Sequence, residues 1–173
     1  MVSNKFLALA FAIATSSMLL AGCKDDENTV SSAATPGGAA NLITIHASPN
    51  APSVDLLVDN IVVGTNLSFP NSTNYLSVSA GTRNVKVRVS GGSTVVIDAN
   101  LPISANTNYS IFAIDSVTKI NTLILTDDLA TPATGKAHVR FVHLSPNAPA
   151  VDIALRGGVV VFPNTAFKGN TAF

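Results

Sequence analysis

The chain has 173 residues, 47% of them hydrophobic and only 12% charged, with ten Lys and Arg balanced by ten Asp and Glu. That balance excludes a nucleic-acid partner, because such binding needs clustered basic side chains that neutralise several phosphates. A single cysteine excludes an intrachain disulfide framework, and the abundance of Val, Thr, Ser, Asn and Ala suits short half-buried strands joined by polar turns.

At the N-terminus, Lys5 and the free amine precede an apolar run from Phe6 to Leu20. The run fits the h-region of a secretory signal and is short of the roughly 20 residues that span a bilayer. Leu20-Ala21-Gly22-Cys23 follows. This order resembles a bacterial lipobox, in which small residues let a signal peptidase cut before a cysteine that is then lipidated. Residues 1–22 therefore read as a lipoprotein signal peptide and Cys23 as the lipidation site, so that a lipid anchor joins the protein to a membrane. In an ordinary secretory signal Cys23 would be an unpaired thiol exported to an oxidising compartment, whereas lipidation gives it a role. Residues 23–41 carry Lys24, Asp25, Asp26 and Glu27, then Ser, Ala, Thr, Pro and Gly without apolar period, the composition of a flexible tether. Lys24 rather than Asp follows the cysteine. By resemblance to lipoprotein sorting in Gram-negative bacteria, this points to the outer membrane of the cell envelope, facing periplasm or surface.

Residues 42–130 read as one β-sandwich unit. Apolar runs at Leu42–Ala47, Val54–Val58, Tyr75–Val78, Val85–Val89, Val95–Asp98, Tyr109–Ile114 and Thr122–Leu125 recur at intervals near ten residues, with turn residues between them. Asp59-Asn60 tolerates the positive φ of a two-residue hairpin, and Gly91-Gly92 is expected to do the same. Val85, Val87 and Val89 share one face of their strand while Lys86 and Arg88 share the other, which predicts a sheet with a dry and a wet side. Ser104 to Tyr109 resembles the tyrosine corner of immunoglobulin-like sandwiches, where a Tyr hydroxyl bonds backbone a few residues upstream, and a half-buried strand tyrosine is the plainer alternative.

One stretch organises the whole chain. His46-Ala47-Ser48-Pro49-Asn50-Ala51-Pro52-Ser53-Val54-Asp55 returns as His143-Leu144-Ser145-Pro146-Asn147-Ala148-Pro149-Ala150-Val151-Asp152, 97 residues later. Such a period signals duplicated architecture. Residues 137–173 restate the start of the first unit, with Arg156-Gly157-Gly158 replacing the Asp59-Asn60 turn and Phe167 to Phe173 matching Phe69 to Tyr75. They read as an incomplete second β unit. About 37 residues do not close a sandwich alone, so the unit docks on the first, is completed by a partner, or belongs to a truncated reading frame. Its expected first strand puts Val139, Phe141 and His143 on one face, as Leu42, Thr44 and His46 are in the first unit.

The paired motif, the Ser79-Ala80-Gly81 turn before Val85, Val87 and Val89, and the Tyr109 strand together resemble the bacterial domain-of-unknown-function family 4397 over roughly residues 41–160. The resemblance implies an exported or lipid-anchored protein built on immunoglobulin-like or transthyretin-like antiparallel β-sandwich domains. It implies no activity, substrate, cofactor or catalytic residue.

Read physically, the motif is structural. A histidine in line with Val and Phe is a core or rim residue bonding nearby backbone. Pro49 and Pro52, like Pro146 and Pro149, fix φ and lack a donor, which forces a bend after Ser48 or Ser145. Asp55 and Asp152 then accept bonds from turn N–H groups or from the histidine. The sharper alternative makes each His/Asp pair a metal or acid–base site in a metal-dependent enzyme or metal carrier. Zinc wants three or four converging ligands, and each unit supplies one motif His and one Asp, with His138 placed on the opposite strand face. A hydrolase based on Ser48 or Ser145 lacks a nucleophile elbow and an oxyanion pattern. Gly91-Gly92 and Gly157-Gly158 have no strand-to-helix context for phosphate. Asp127-Asp128 reads as a solvated loop pair with a calcium site as the rival, and Arg83, Lys86 and Arg88 as a wet strand face with an anionic glycan site as the rival.

The expectation is thus a non-catalytic envelope lipoprotein, needing no cofactor and no metal, whose sandwich is an interaction or adhesion-type module for an envelope protein or glycan. If one motif supplies both cut and anchor, Cys23→Ser abolishes fatty-acid labelling and releases or misprocesses the protein. Unchanged membrane association of that variant in fractionated cells would exclude the lipobox.

Overall fold

A computed structural model describes residues 37–173; Cys23, the signal peptide and most of the expected tether lie outside the described residues. The β-branched alternation produces ten strands among them: β1 (Ala39–His46), β2 (Val54–Val58), β3 (Ile61–Leu67), β4 (Leu76–Ser79), β5 (Gly81–Val89), β6 (Val95–Ile103), β7 (Asn108–Ile114), β8 (Asn121–Asp127), β9 (Val151–Ala154) and β10 (Val160–Thr165). One sheet has the order β4-β1-β7-β8 and a second the order β3-β2-β5-β6, with β9 and β10 forming a separate hairpin. Pairing is antiparallel except between β1 and β7, which run parallel. The fold is an all-β sandwich followed by a second copy of the motif and its β9–β10 hairpin.

Side-chain alternation puts Ala40, Leu42 and Thr44 of β1, Val54, Leu56 and Val58 of β2, Val85 and Val87 of β5, and Tyr109, Ile111 and Ala113 of β7 in the interior. Most of these form one hydrophobic cluster between the two sheets. Each fully buried aliphatic side chain contributes on the order of 1.5–3 kcal/mol, so inward valines and isoleucines fix the register of both sheets. Lys86 and Arg88 face outward, as the alternation predicts, and they do not form an unpaired basic patch. Arg83 pairs with Asp59 at 3.0 Å, Lys86 with Asp98 at 3.6 Å and Arg88 with Asp55 at 3.0 Å. The wet-face reading therefore accounts for them.

The β2–β3 hairpin turns through Asp59 and Asn60 at φ 49° and 66°, the left-handed values its two-residue loop requires. The carboxylate of Asp59 also accepts the backbone N–H of Asn84 at 3.0 Å, a bond that, with the nearby Arg83, holds its pKa below the usual range. At the tyrosine corner, the Tyr109 hydroxyl accepts the N–H of Ser104 at 3.1 Å. That geometry matches the corner rather than a plain strand tyrosine.

Four expectations are corrected. β1 begins at Ala39, inside the stretch read as tether, because Ala40 packs into the core and pairs with Val78. Gly91-Gly92 is not a two-residue turn; β5 ends at Val89 and β6 starts at Val95, with the Val89 N–H reaching the carbonyl of Thr94 and only Gly91 of the pair at positive φ. Asp127 is not a solvated loop residue but the buried last residue of β8. Finally, Val139 to His143 do not form a strand, and Val139 stays 60% exposed. Alternation alone does not make a strand. β1 has β4 and β7 beside it, whereas the second copy has a single bridge, Val142 to Asn170.

Candidate functional site

The Ser-Pro-Asn-Ala-Pro turn carries the chain from β1 in one sheet to β2 in the other. Pro49 and Pro52 have no N–H, so the crossing cannot be closed by an ordinary backbone ladder. The imidazole of His46 supplies the missing donor, its Nε2 lying 3.1 Å from the carbonyl oxygen of Pro52. A carbonyl only accepts, so the proton sits on Nε2. His143 repeats the contact with Pro149 at 3.2 Å. Both rings are buried, and each meets a phenylalanine edge to face, His46 with Phe69 and His143 with Phe167, at 6.5 Å between centroids.

Asp55 does not join His46. Its Oδ1 accepts the Asn66 N–H at 3.0 Å and the Ser90 hydroxyl at 2.7 Å, and its Oδ2 accepts Arg88. These bonds, the Asn66 N–H first, hold the Asp55 carboxyl below the usual carboxylate range against the opposing effect of burial. Asp152 keeps the first of them, from the N–H of Asn164 at 2.6 Å. Both backbone donors belong to strands, Asn66 to β3 and Asn164 to β10, so neither the turn N–H groups nor the histidine expected for these aspartates is their partner, and neither His/Asp pair is brought together as a dyad. No group of three or more His, Cys, Asp or Glu side chains able to hold a metal converges among the described residues. Ser48 is fully buried, beyond reach of a substrate, whereas Ser145 is exposed with its hydroxyl on the Asn147 side-chain oxygen at 3.3 Å.

Two further positions in each copy complete the unit, and both lie outside the repeated His-to-Asp stretch. Thr73 donates its N–H to the Thr44 carbonyl at 2.9 Å and accepts the Thr44 N–H on its hydroxyl at 3.0 Å. Thr171 does the same for Phe141, at 3.0 Å in each bond. Asn66 and Asn164 both adopt left-handed φ, 52° and 46°, and present their N–H groups to the motif aspartates. The signal was available: Thr73 and Thr171, and Asn66 and Asn164, are identical pairs 98 residues apart.

Both turns line one cleft of about 830 Å³. Pro49, Phe69 and Pro70 line it from the first copy and Leu144 and Pro146 from the second, while Asn50, Asn147, Ser145, Asp115, Ser116 and Lys119 supply polar groups. Asn50 accepts the Val117 N–H at 3.0 Å, which ties the turn to the short 3-10 segment Val117–Lys119. The second copy is fastened to the sandwich by a buried polar cluster. Arg140 pairs with Asp127 and donates to the Thr126 carbonyl at 2.8 Å, while the other Asp127 oxygen accepts Tyr75 at 2.7 Å and Ser110 at 2.8 Å. Burial, and then the neighbouring Asp127 carboxylate, push the Tyr75 hydroxyl up to about 12.

Residues 40–154 match the domain of unknown function DUF4397, well over half of the chain. The chain belongs to this family. The match runs from the start of β1 to the end of β9, so it takes in both copies of the motif and the whole sandwich between them. No curated protein matches the sequence.

His46→Ala removes the donor that closes the turn and leaves the Pro52 carbonyl short of a partner, so the variant loses about 1–3 kcal/mol in urea unfolding. Wild-type stability together with loss of a bound metal would reverse that reading. For Asp55, the folded-state pKa lies below the unfolded one, so its contribution is complete above about pH 5 and is lost as pH falls below about 4. Asp55→Asn is therefore less stable than wild type at pH 7, and its urea midpoint falls less between pH 5 and pH 3. An acid limb as steep as that of wild type would contradict the assignment.

Proposed function

We propose that this chain is a non-catalytic, lipid-anchored protein of the bacterial cell envelope whose sandwich is an interaction module, and that the cleft between the two Ser-Pro-Asn turns receives a protein partner. The observation that carries the reading is that two copies of one turn line a single concavity. Hydrogen bonding around each turn consumes the chemistry a catalyst would need: the imidazole closes the turn and the aspartate holds the neighbouring strand. What reaches the cleft is shape, apolar surface and side-chain amides. Prolines and a phenylalanine stack well on an extended peptide, and Asn147 and Lys119 are placed to bond its carbonyls. A glycan is the weaker partner, since Phe69 is the one aromatic ring besides His46 among the cleft residues. A tether from Cys23 to β1 would hold this surface clear of the bilayer.

Site-specific photocrosslinking in cells tests the proposal. A benzoylphenylalanine at position 147 crosslinks to an envelope protein, one at position 100 on the opposite sheet does not, and adding Leu144→Arg abolishes the product at 147. Equal crosslinking from both positions, or a product indifferent to Leu144→Arg, would remove the cleft from consideration.

A further inference from the structure

Three side-chain atoms at the end of β1 are buried with no bond to any described protein group: the hydroxyl of Thr44, the Nδ1 of His46 and the hydroxyl of Ser48. His46 and Ser48 are both 0% exposed, so bulk solvent does not reach them. The three stand at alternate positions of one extended run. Pairing of β1 with β7 continues past His46, the Ala47 N–H reaching the Ala113 carbonyl at 2.8 Å, and Ser48 precedes a proline, which favours extended backbone there. Alternate residues of an extended chain project to one side, about 7 Å apart along the strand. One bridging water, with a bond of about 2.8 Å to each neighbour, spans the gap that such spacing leaves between an imidazole and a hydroxyl.

The chemistry of these atoms selects the ligand. The Pro52 carbonyl takes the proton on His46 Nε2, so Nδ1 carries a bare lone pair and requires a donor. A serine hydroxyl both donates and accepts, so the group that serves the two must do both as well. A cation does not suit, since the only motif carboxylate, Asp55, is committed to Asn66, Ser90 and Arg88. An apolar group would leave every one of these atoms desolvated and unbonded, which is the costly case. We propose that an ordered water is held inside the first copy of the motif, donating to His46 Nδ1 and bonded to the Ser48 hydroxyl, with the Thr44 hydroxyl keeping the adjoining wall polar. The second copy does not repeat this pair of anchors. His143 Nδ1 is again buried and unbonded, but Phe141 stands in place of Thr44, and the exposed Ser145 directs its hydroxyl to Asn147 at 3.3 Å. The site lies in the interior of the turn, and its test does not depend on the cleft reading.

Two measurements on the detergent-solubilised full chain test the proposal. A high-resolution crystal structure should show one water within hydrogen-bonding distance of both His46 Nδ1 and Ser48 Oγ. In urea unfolding, Ser48→Ala should lower the midpoint with an unchanged m-value, because it takes one anchor from the water and leaves the water short of a partner. The sign is the discriminating feature. A hydroxyl buried with no partner at all burdens the folded state, so its removal would raise the midpoint instead. Ser145→Ala is the control for exchanging the serine before a motif proline; it removes an exposed hydroxyl and should leave the midpoint where it is. The wild-type crystal structure decides the matter even if Ser48→Ala does not fold. Absence of density between the two atoms in a structure that resolves other buried waters, a raised or unmoved midpoint for Ser48→Ala, or an equal fall for Ser145→Ala would each overturn the proposal.

Discussion

The turn end of the molecule depends on one hydrogen bond, from the imidazole of His46 to the carbonyl of Pro52. Crossing between two sheets exposes backbone groups that neither ladder can satisfy, and two prolines in five residues lower the number of donors further. A side chain must bring a donor to the far side of the bend. Serine or asparagine would reach only locally, whereas imidazole is rigid and long enough to span from the last residue of β1 to the residue two before β2. It also carries an apolar body, which packs against Phe69 while the ring nitrogen does the bonding. That double demand explains a buried histidine on a strand face otherwise filled by Ala40, Leu42 and Thr44.

The second copy acts as an internal control on this argument. Its first segment lacks the neighbours that make β1 a strand, yet the histidine, the threonine clamp and the aspartate-to-asparagine bond all recur. Even the backbone bonds follow, His143 N–H to the Gly169 carbonyl at 2.9 Å against His46 N–H to Asn71 at 3.0 Å. The motif is therefore a hydrogen-bonded unit in its own right, set by local chemistry, and the sheet is built around it. Duplication of such a unit preserves its geometry without preserving any activity.

What the sequence made legible follows the same division. Features that depend on local chemistry were readable: the positive φ of Asp59 and Asn60, the alternation of Val85 and Val87 with Lys86 and Arg88, and the Tyr109 corner. Features that depend on a distant neighbour were not. Val139, Phe141 and His143 alternate as well as Leu42, Thr44 and His46 do, but pairing rather than pattern decides strand formation. The Arg140 clamp was invisible for a related reason: in the repeat it occupies the place of Ile43, so the first copy gives no precedent for it.

That clamp constrains how the cleft can be used. A guanidinium and a carboxylate both largely out of water are costly to separate, because either left alone keeps its desolvation without its partner. Asp127 also holds Tyr75, just before β4, and Ser110 of β7, so moving the second copy would disturb the outer face of the first sheet along three elements. A hinge between the copies would need a weaker joint, such as exposed ion pairs worth little each. With the turns internally locked and the copies fastened together, the walls of the cleft are preorganised. Under the proposed reading, a partner bound there would meet a low ordering cost on the protein side, and its selection would fall to the shape of the proline walls and to the amides of Asn50 and Asn147.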